Sequence, residues 1–556
     1  MLATKRRQAI FGLLALFSII FAACSPAAQP TATAPAGATA AKGGATPAAA
    51  QPKNGGIINI RNSCAPPHLD PHQTLITCYH GSSAGLAYDG LLMYEMSEKA
   101  SPLDFNVVPN LAESWANPDP KTYTFKLRQG AKFHNIPPVN GREVTAQDAV
   151  YSFNRMSTRG WVNSSMFTMV DKWEAVDKST VKATLKNPSA SFLNLVANGY
   201  SVIVAKEAVD VNGDLKKGPV IGTAGWVWVA EEYDANVKSV LKKNPDFYLK
   251  GLPYADGIVS TYIADLATRK AAFRTKKVDR EGFGKKDLEV FVKEFPEIVT
   301  SQDRSWSGGN LRWKVDRPPL SDVRVRRAIS KAIDRQALID TAYFGAGWIS
   351  MGVTLPGLDW MLPEKEITEA AKRDVAEAKK LLTEAGYDKG FNIEMVVAGT
   401  YDGYTTAAEL VQDQLKEAGI NVTLKMVDSP TYTERILTAP GDFSGMFLGP
   451  WGMPTEATMI LNLTYKSDGS MNTSGHKDPK LDKMIEEQET TLDPAKRKEQ
   501  LLAIQRYLLE NLYTMNPAPW SSEGAGMRWP YLKGIYNSAA SDFPSNRYWY
   551  YAWLDK

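Results

Sequence analysis

Residues 391–427 read FNIEMVVAGTYDGYTTAAELVQDQLKEAGINVTLKMV. In FNIEMVV the apolar residues Phe391, Ile393, Met395 and Val397 alternate with their neighbours, and Val422, Leu424 and Met426 do the same in NVTLKMV, the period-two pattern of strands. Between them, AAELVQDQLKEAG carries the spacing of a helix. This order predicts a βαβ unit with parallel strands and a right-handed crossover. Ligands of open α/β sheets gather beyond the carboxyl ends of such strands, where Tyr401 and Asp428 fall. FSGMFLG predicts a third strand, leading through Pro450 to Trp451 on the same rim. Loop packing is the competing reading for each of these residues.

Upstream, Ser321 precedes DVRVRRAISKAIDRQALIDTAYFG, which predicts one amphipathic helix with Val325, Ile329, Ala332 and Ile333 on a face and Asp322 at its positive N-terminal end. A second helix is expected from Thr368 to Gly386, with Val375, Ala378, Leu382 and Ala385 in step and the glycine as a left-handed cap. Folded sequence is expected to start at GGIINIRN, where Ile58 and Ile60 alternate with polar residues.

Before that point the chain has a different character. Lys5, Arg6 and Arg7 precede an uncharged apolar stretch from Ala9 to Ala23, the pattern of an export signal and too short to span a bilayer comfortably, which takes about 20 residues. The alternative is a short uncleaved anchor. Its end, FAACS, resembles the lipobox of bacterial lipoproteins, with Phe21 where leucine is usual; the resemblance implies that Cys24 is lipidated after removal of residues 1–23. Residues 25–54 lack any large apolar side chain, so residues 24–54 are expected to be a lipidated tether with a typical reach of about 30 Å.

The length of 556 residues, with 44% hydrophobic and 22% charged residues, predicts two or more lobes and excludes whole-chain disorder. Without Lys5, Arg6 and Arg7 the 64 basic residues become 61, equal to the 61 acidic ones. A balanced chain gives no case for a nucleic-acid partner.

Enzyme signatures are sparse: HExxH, CxxC and P-loop patterns do not occur. GSSAG, residues 81–85, does fit the nucleophile elbow, with Ser83 as nucleophile after a strand-like TLITCY and His134 or His476 as base. The competing reading is a helix start built from small residues. Cys64 and Cys78 are the two cysteines of the exported body, and an oxidising compartment permits their pairing. The alternative gathers Cys64, His68, His72, Cys78 and His80 as metal ligands, at a spacing that matches no closed site; no metal and no cofactor is expected. Of the aromatic residues, including the tail RYWYYAW, most are expected in the core, while Trp306, Trp313, Trp451 and Trp520 are candidates for cleft walls.

Residues 109–153 read PNLAESWANPDPKTYTFKLRQGAKFHNIPPVNGREVTAQDAVYSF, and LDP at 69–71, YDGLL at 88–92, GTAGW at 222–226, LKKNPDFY at 241–248, SDVRVRRAISKAIDR at 321–335 and AKKLLTEAGYDKGF at 378–391 surround it. Together these motifs resemble the bacterial extracellular solute-binding proteins of ABC importers, of the dipeptide, oligopeptide and nickel class. The resemblance implies a two-lobed α/β clamp of the type II periplasmic-binding-protein fold. Lobe one would span 55–310 with an extra subdomain at about 91–215, lobe two 311–516, and residues 517–556 would return to lobe one. It further implies a non-enzymatic monomer, held outside the cytoplasmic membrane in the periplasmic space or at the cell surface, that hands its ligand to permease subunits.

In peptide-binding members an acidic residue soon after a Gly-Trp pair clamps the ligand's amino terminus. The corresponding stretch here, GPWGMPTEATM, places Met453 and Pro454 there, with Glu456 the nearest acid. A buried ammonium without a carboxylate is costly. Peptide is the first expectation and an oligosaccharide, opine-like compound or chelated metal the alternative; Tyr401, Trp451, Met453, Glu456 and Trp520 are the expected pocket contacts.

Overall fold

Ile57–Asn62 opens the folded body as a strand whose side chains alternate between core and surface. It pairs in parallel with Gly257–Tyr262 on one side and with Arg280–Phe283 on the other. The computed structural model describes residues 51–62, 65–74, 77–96, 105–164, 166–304, 308–345, 347–349, 360–399, 403–428, 431–451, 456–515, 523–536 and 545–556.

Two sheets organise the chain. A seven-stranded sheet runs in the order Val299–Arg304, Glu523–Arg528, Arg280–Phe283, Ile57–Asn62, Gly257–Tyr262, Lys238–Lys243, Trp226–Trp228, and a five-stranded one in the order Ile420–Val427, Phe391–Ala398, Met446–Trp451, Gly308–Trp313, Thr514–Met515. A four-stranded antiparallel sheet within residues 112–185 carries the helix Ala146–Met156. Asp148 fixes that helix start by accepting the Thr145 N–H at 2.8 Å and receiving Arg142 through both oxygens, at 2.9 and 2.7 Å.

The chain changes sheet twice, and the two changes lie together. Val299–Arg304 pairs antiparallel with Glu523–Arg528, with Arg304 opposite Glu523; on the far side Leu311 stands opposite Met515. Gly308–Trp313 lies wholly in the five-stranded sheet, so the first change falls between Arg304 and Gly308, ahead of residue 310.

The βαβ unit forms as its periodicity predicts: Phe391–Ala398 and Ile420–Val427 are parallel, joined by the helix Tyr404–Glu417, and Met446–Trp451 adds to Phe391–Ala398 in parallel. Met395 and Val397 face one core while Val396 and Ala398 face another, as in a strand covered on both sides. Ile420–Val427 is the edge, and there Met426 is exposed rather than packed.

Two long helices of the sequence reading each divide. The stretch after Ser321 forms Val323–Ala332 and Arg335–Ala342, separated by extended Ile333, with Asp334 accepting the Ala337 N–H at 3.0 Å as the cap of the second. Similarly, Glu364–Ala371 is followed by Val375–Glu384, capped by Asp374 through Glu377 N–H at 2.9 Å and ended by Gly386 at φ +85°. An aspartate cap satisfies the orphan N–H groups that each break creates. The TLITCY stretch is not a strand where described: Thr77–His80 is a helical turn.

Tyr548, Trp549, Tyr550 and Trp553 of the aromatic tail are buried. The first three belong to the core of the seven-stranded half.

Candidate functional site

Several of the motif residues meet in the interior of the seven-stranded half. Asp70 of LDP takes both guanidinium nitrogens of Arg155, at 2.9 and 2.5 Å, and accepts the Leu215 N–H at 3.1 Å. Burial alone would raise its carboxyl; the Arg155 hydrogen bonds and charge outweigh that and hold it well below the usual range. Asp89 of YDGLL, Asn110 of PNLAESW, Tyr248 of NPDFY and Tyr550 of the tail form a second network. The Tyr248 hydroxyl lies 2.8 Å from Asp89 Oδ2 and 2.6 Å from Asn110 Oδ1, and Tyr550 donates to Asp89 Oδ1 at 3.2 Å. His134 of KFH accepts the Gly222 N–H at Nδ1 and meets the Ala224 carbonyl through Nε2 at 3.0 Å. These residues tie segments distant in sequence to one another; their contacts are scaffold contacts.

The rim of the five-stranded sheet carries most of the residues expected to touch a ligand. Trp451 ends Met446–Trp451 at the carboxyl end of the parallel strands, opposite Gly308; its side chain lies outside the described residues, as do Tyr401, Met453 and Trp520. Asp428 is on this rim and accepts the Thr431 N–H at 2.9 Å.

Glu456 is buried and starts the short helix Ala457–Ile460 by accepting the Thr458 N–H at 2.6 Å. Its other oxygen takes Arg497 Nη2. Arg497 is held in turn by Gln488 Oε1 at 3.1 Å and Thr458 Oγ1 at 2.9 Å, over the Trp360 ring. The carboxylate that sequence reading placed near the ligand already has an internal cation.

Beyond Glu456 the chain reaches the other half of the molecule. Met459 and Leu463 pack in the core that contains Leu195 and Phe167, Asn198 Nδ2 donates to Met459 Sδ at 3.7 Å, and Ala190 N–H donates to the Glu489 carbonyl at 2.9 Å. A small void of about 10 Å³ between Met166, Leu195, Thr458, Met459, Asn462 and Leu463 marks this seam, room for about one water. Burial pushes the Glu489 carboxyl up. A larger hollow, about 770 Å³, is lined by residues 334–336, 349, 364–365, 368–369 and 371–373 of the five-stranded half alone, so it is not enclosed between the halves.

The hydrolase arrangement does not assemble among the described residues. Ser83 is buried with its hydroxyl 3.3 Å from Ser239 Oγ, while the Nε2 atoms of His134 and His476 meet the carbonyls of Ala224 and Tyr465. His72 and His80 likewise meet the carbonyls of Val202 and Thr74 through Nε2, at 3.0 and 3.3 Å, and His68 Nδ1 accepts the Asp70 N–H. Cys24, Cys64 and the Cys78 side chain lie outside the described residues. Among the described residues no three potential ligands gather about a metal position, and no helix is long and apolar enough to cross a membrane.

The family model "Bacterial extracellular solute-binding proteins, family 5 Middle" matches residues 106–472, well over half of the chain. The chain is 26% identical over 512 residues to Di/tripeptide-binding protein 1 of Pseudomonas aeruginosa, covering 87% of this chain and 92% of that protein. Among solved structures it resembles the binding protein AgaA of A. tumefacien R10 in complex with agropinic acid, with a TM-score of 0.79, 25% identity, and coverage of 90% and 99% of the two chains. It resembles DppA of Helicobacter pylori in complex with the peptide STSA with a TM-score of 0.77, 21% identity, and coverage of 91% and 99%. The chain belongs to the family 5 bacterial extracellular solute-binding proteins, and its fold is the two-lobed type II binding-protein fold.

Proposed function

We propose that this chain captures a peptide between its two lobes outside the cytoplasmic membrane and delivers it, chemically unaltered, to the permease of an ABC importer. The observation that carries the reading is the pairing of the strands that flank the two inter-sheet connections, Arg304 opposite Glu523 and Leu311 opposite Met515. Adjacent connections let two rigid halves turn about one place, and a ligand touching both halves shifts the balance toward the shut state by its differential affinity. Peptide as cargo draws support from the di/tripeptide-binding relative and from the neighbour holding STSA.

In this reading lobe one runs from residue 55, with the subdomain at 91–215, to the change of sheet ahead of Gly308, lobe two from there to residue 516, and the remainder returns to lobe one. Tyr401, Trp451, Met453 and Trp520 supply contacts at the rim. Glu456 contributes through its pairing with Arg497. Residues 1–23 direct export, Cys24 carries the lipid, residues 25–54 tether a monomeric body, and Cys64 and Cys78 form a disulfide.

A second reading, an opine-like ligand, is favoured by the Glu456–Arg497 pair, because a carboxylate that already holds a guanidinium is a poor partner for a ligand ammonium. The neighbour bound to agropinic acid fits the same direction. A thermal-shift series with di- to pentapeptides, opines, oligosaccharides and nickel–histidine chelates separates these readings. A true ligand at a hundred times its Kd adds about 2.7 kcal/mol of stability. Stabilisation by peptides supports the first reading, by opines alone the second, and turnover of any of them would count against both.

A further inference from the structure

The helix Arg335–Ala342 ends in a turn where Tyr343 and Gly345 both donate to the Ile339 carbonyl, at 3.1 and 3.0 Å. The left-handed residue of such an ending is ordinarily glycine. Here Phe344 takes that conformation first, at φ +53°, ahead of Gly345 at φ +76°. A bulky side chain in that region is disfavoured sterically, and such strain persists only where something holds it. Packing within its own lobe is a poor candidate for the holder, since Phe344 is 52% exposed.

Its partner comes from the other lobe. Lys286 Nζ stands 5.7 Å from the Phe344 ring centroid, and Lys285 Nζ lies 3.9 Å from the point a Cβ on Gly345 would occupy. Both lysines begin the helix Lys285–Glu294, whose Leu288 and Phe291 pack with Phe283, Met527 and Trp529 of the seven-stranded half. The helix before Phe344 packs through Leu338 into the core of the five-stranded half. The Ala190–Glu489 and Asn198–Met459 contacts form a separate seam made by other segments.

We propose that Phe344 is a latch between the lobes: its ring, held out by a strained backbone, takes the Lys286 ammonium when the clamp shuts and biases the molecule toward the shut form before ligand arrives. The proposal rests on the two-lobed binding reading and adds a ligand-independent term to its closing equilibrium. An exposed cation–π contact shifts such an equilibrium roughly two- to five-fold.

The substitution Phe344→Gly separates this role from a structural one, because it relaxes the backbone while removing the ring. The open-to-shut ratio of the full chain without ligand would be read by single-molecule FRET between lobe-specific dyes, beside the Tm, for wild type, Phe344→Gly and Lys286→Gln. Expected are a two- to five-fold shift toward open in each variant, no further shift in the double variant, and an unchanged or higher Tm for Phe344→Gly. An inter-lobe distance that neither variant moves, or an additive double variant, overturns the latch, as does a Tm loss in Phe344→Gly without a distance change. The solute-binding reading fails separately, if di- to pentapeptides, opines, oligosaccharides and nickel–histidine chelates leave both the distance and the Tm of the wild-type chain unmoved.

Discussion

Glu456 and Arg497, 41 residues apart in sequence, form a buried ion pair at the seam between the two lobes, and Glu489 lies close enough to Glu456 for their charges to interact. Removing Arg497 would leave Glu456 buried without its cation. Arg497→Ala is therefore expected to destabilise the chain by about 3–5 kcal/mol, whereas the double substitution Glu456→Gln, Arg497→Met loses less because no charge is stranded. Urea unfolding at neutral pH measures both; equal losses in the single and double variants would contradict the assignment of the cost to a stranded charge.

Acid sensitivity has an identifiable source. Burial lowers the imidazoles of His72 and His134 to about 4, with the Arg155 charge adding to the effect at His72. Their folded pKa values lie below the unfolded value near 6.5, so the unfolded chain binds the extra protons. Stability is whole above that value and falls as pH drops toward 4, by up to about 1.4 kcal/mol per pH unit for each histidine. His134→Gln keeps a donor for Ala224 and an acceptor for Gly222, and is expected to flatten the slope. A profile equally steep in the variant, or flat in the wild type, would refute the account.

The βαβ unit was legible because each of its signals is local: Met395 and Val397 alternate, and the helix between the strands keeps its own period. The break at Ile333–Asp334 was hidden by an apolar pattern that continues across it, from Ile329 and Ile333 to Leu338, although Asp334 ahead of a helical stretch was a cap signal in plain view. Glu456 stood out in the sequence, but its partner is a helix away and spacing does not reveal such a pair. Phe344 had no signal, since its meaning depends on backbone conformation and on Lys286 of the other lobe. The family motifs were conspicuous for a different reason: Asp70, Asp89, Asn110, His134 and Tyr248 join distant segments, and such contacts do not mark a ligand.

Ser83 offers a clean discrimination between capture and catalysis. Its hydroxyl is buried against Ser239. Ser83→Ala is expected to leave every ligand-induced thermal shift unaltered and to cost about 1–3 kcal/mol of stability, because the buried Ser239 hydroxyl loses its partner. Loss of an ester- or amide-cleaving activity in that variant would restore the nucleophile reading.

Gly222 shows how closely the motif segments approach one another. A Cβ there would stand 1.8 Å from the Ala87 carbonyl oxygen and 2.6 Å from its carbon, both backbone atoms that cannot rotate away. Gly222 lies beside the His134 ring that accepts its N–H, so a displaced backbone would also break that bond. Gly222→Ala is expected to cost more than about 3 kcal/mol. At Gly282, in the strand Arg280–Phe283, a Cβ would meet no heavy atom within 4 Å, and Gly282→Ala is expected to stay within about 0.5 kcal/mol of wild type. Denaturant midpoints of the two variants test the contrast, and comparable losses in both would show that the contact with Ala87 is not what makes the position a glycine.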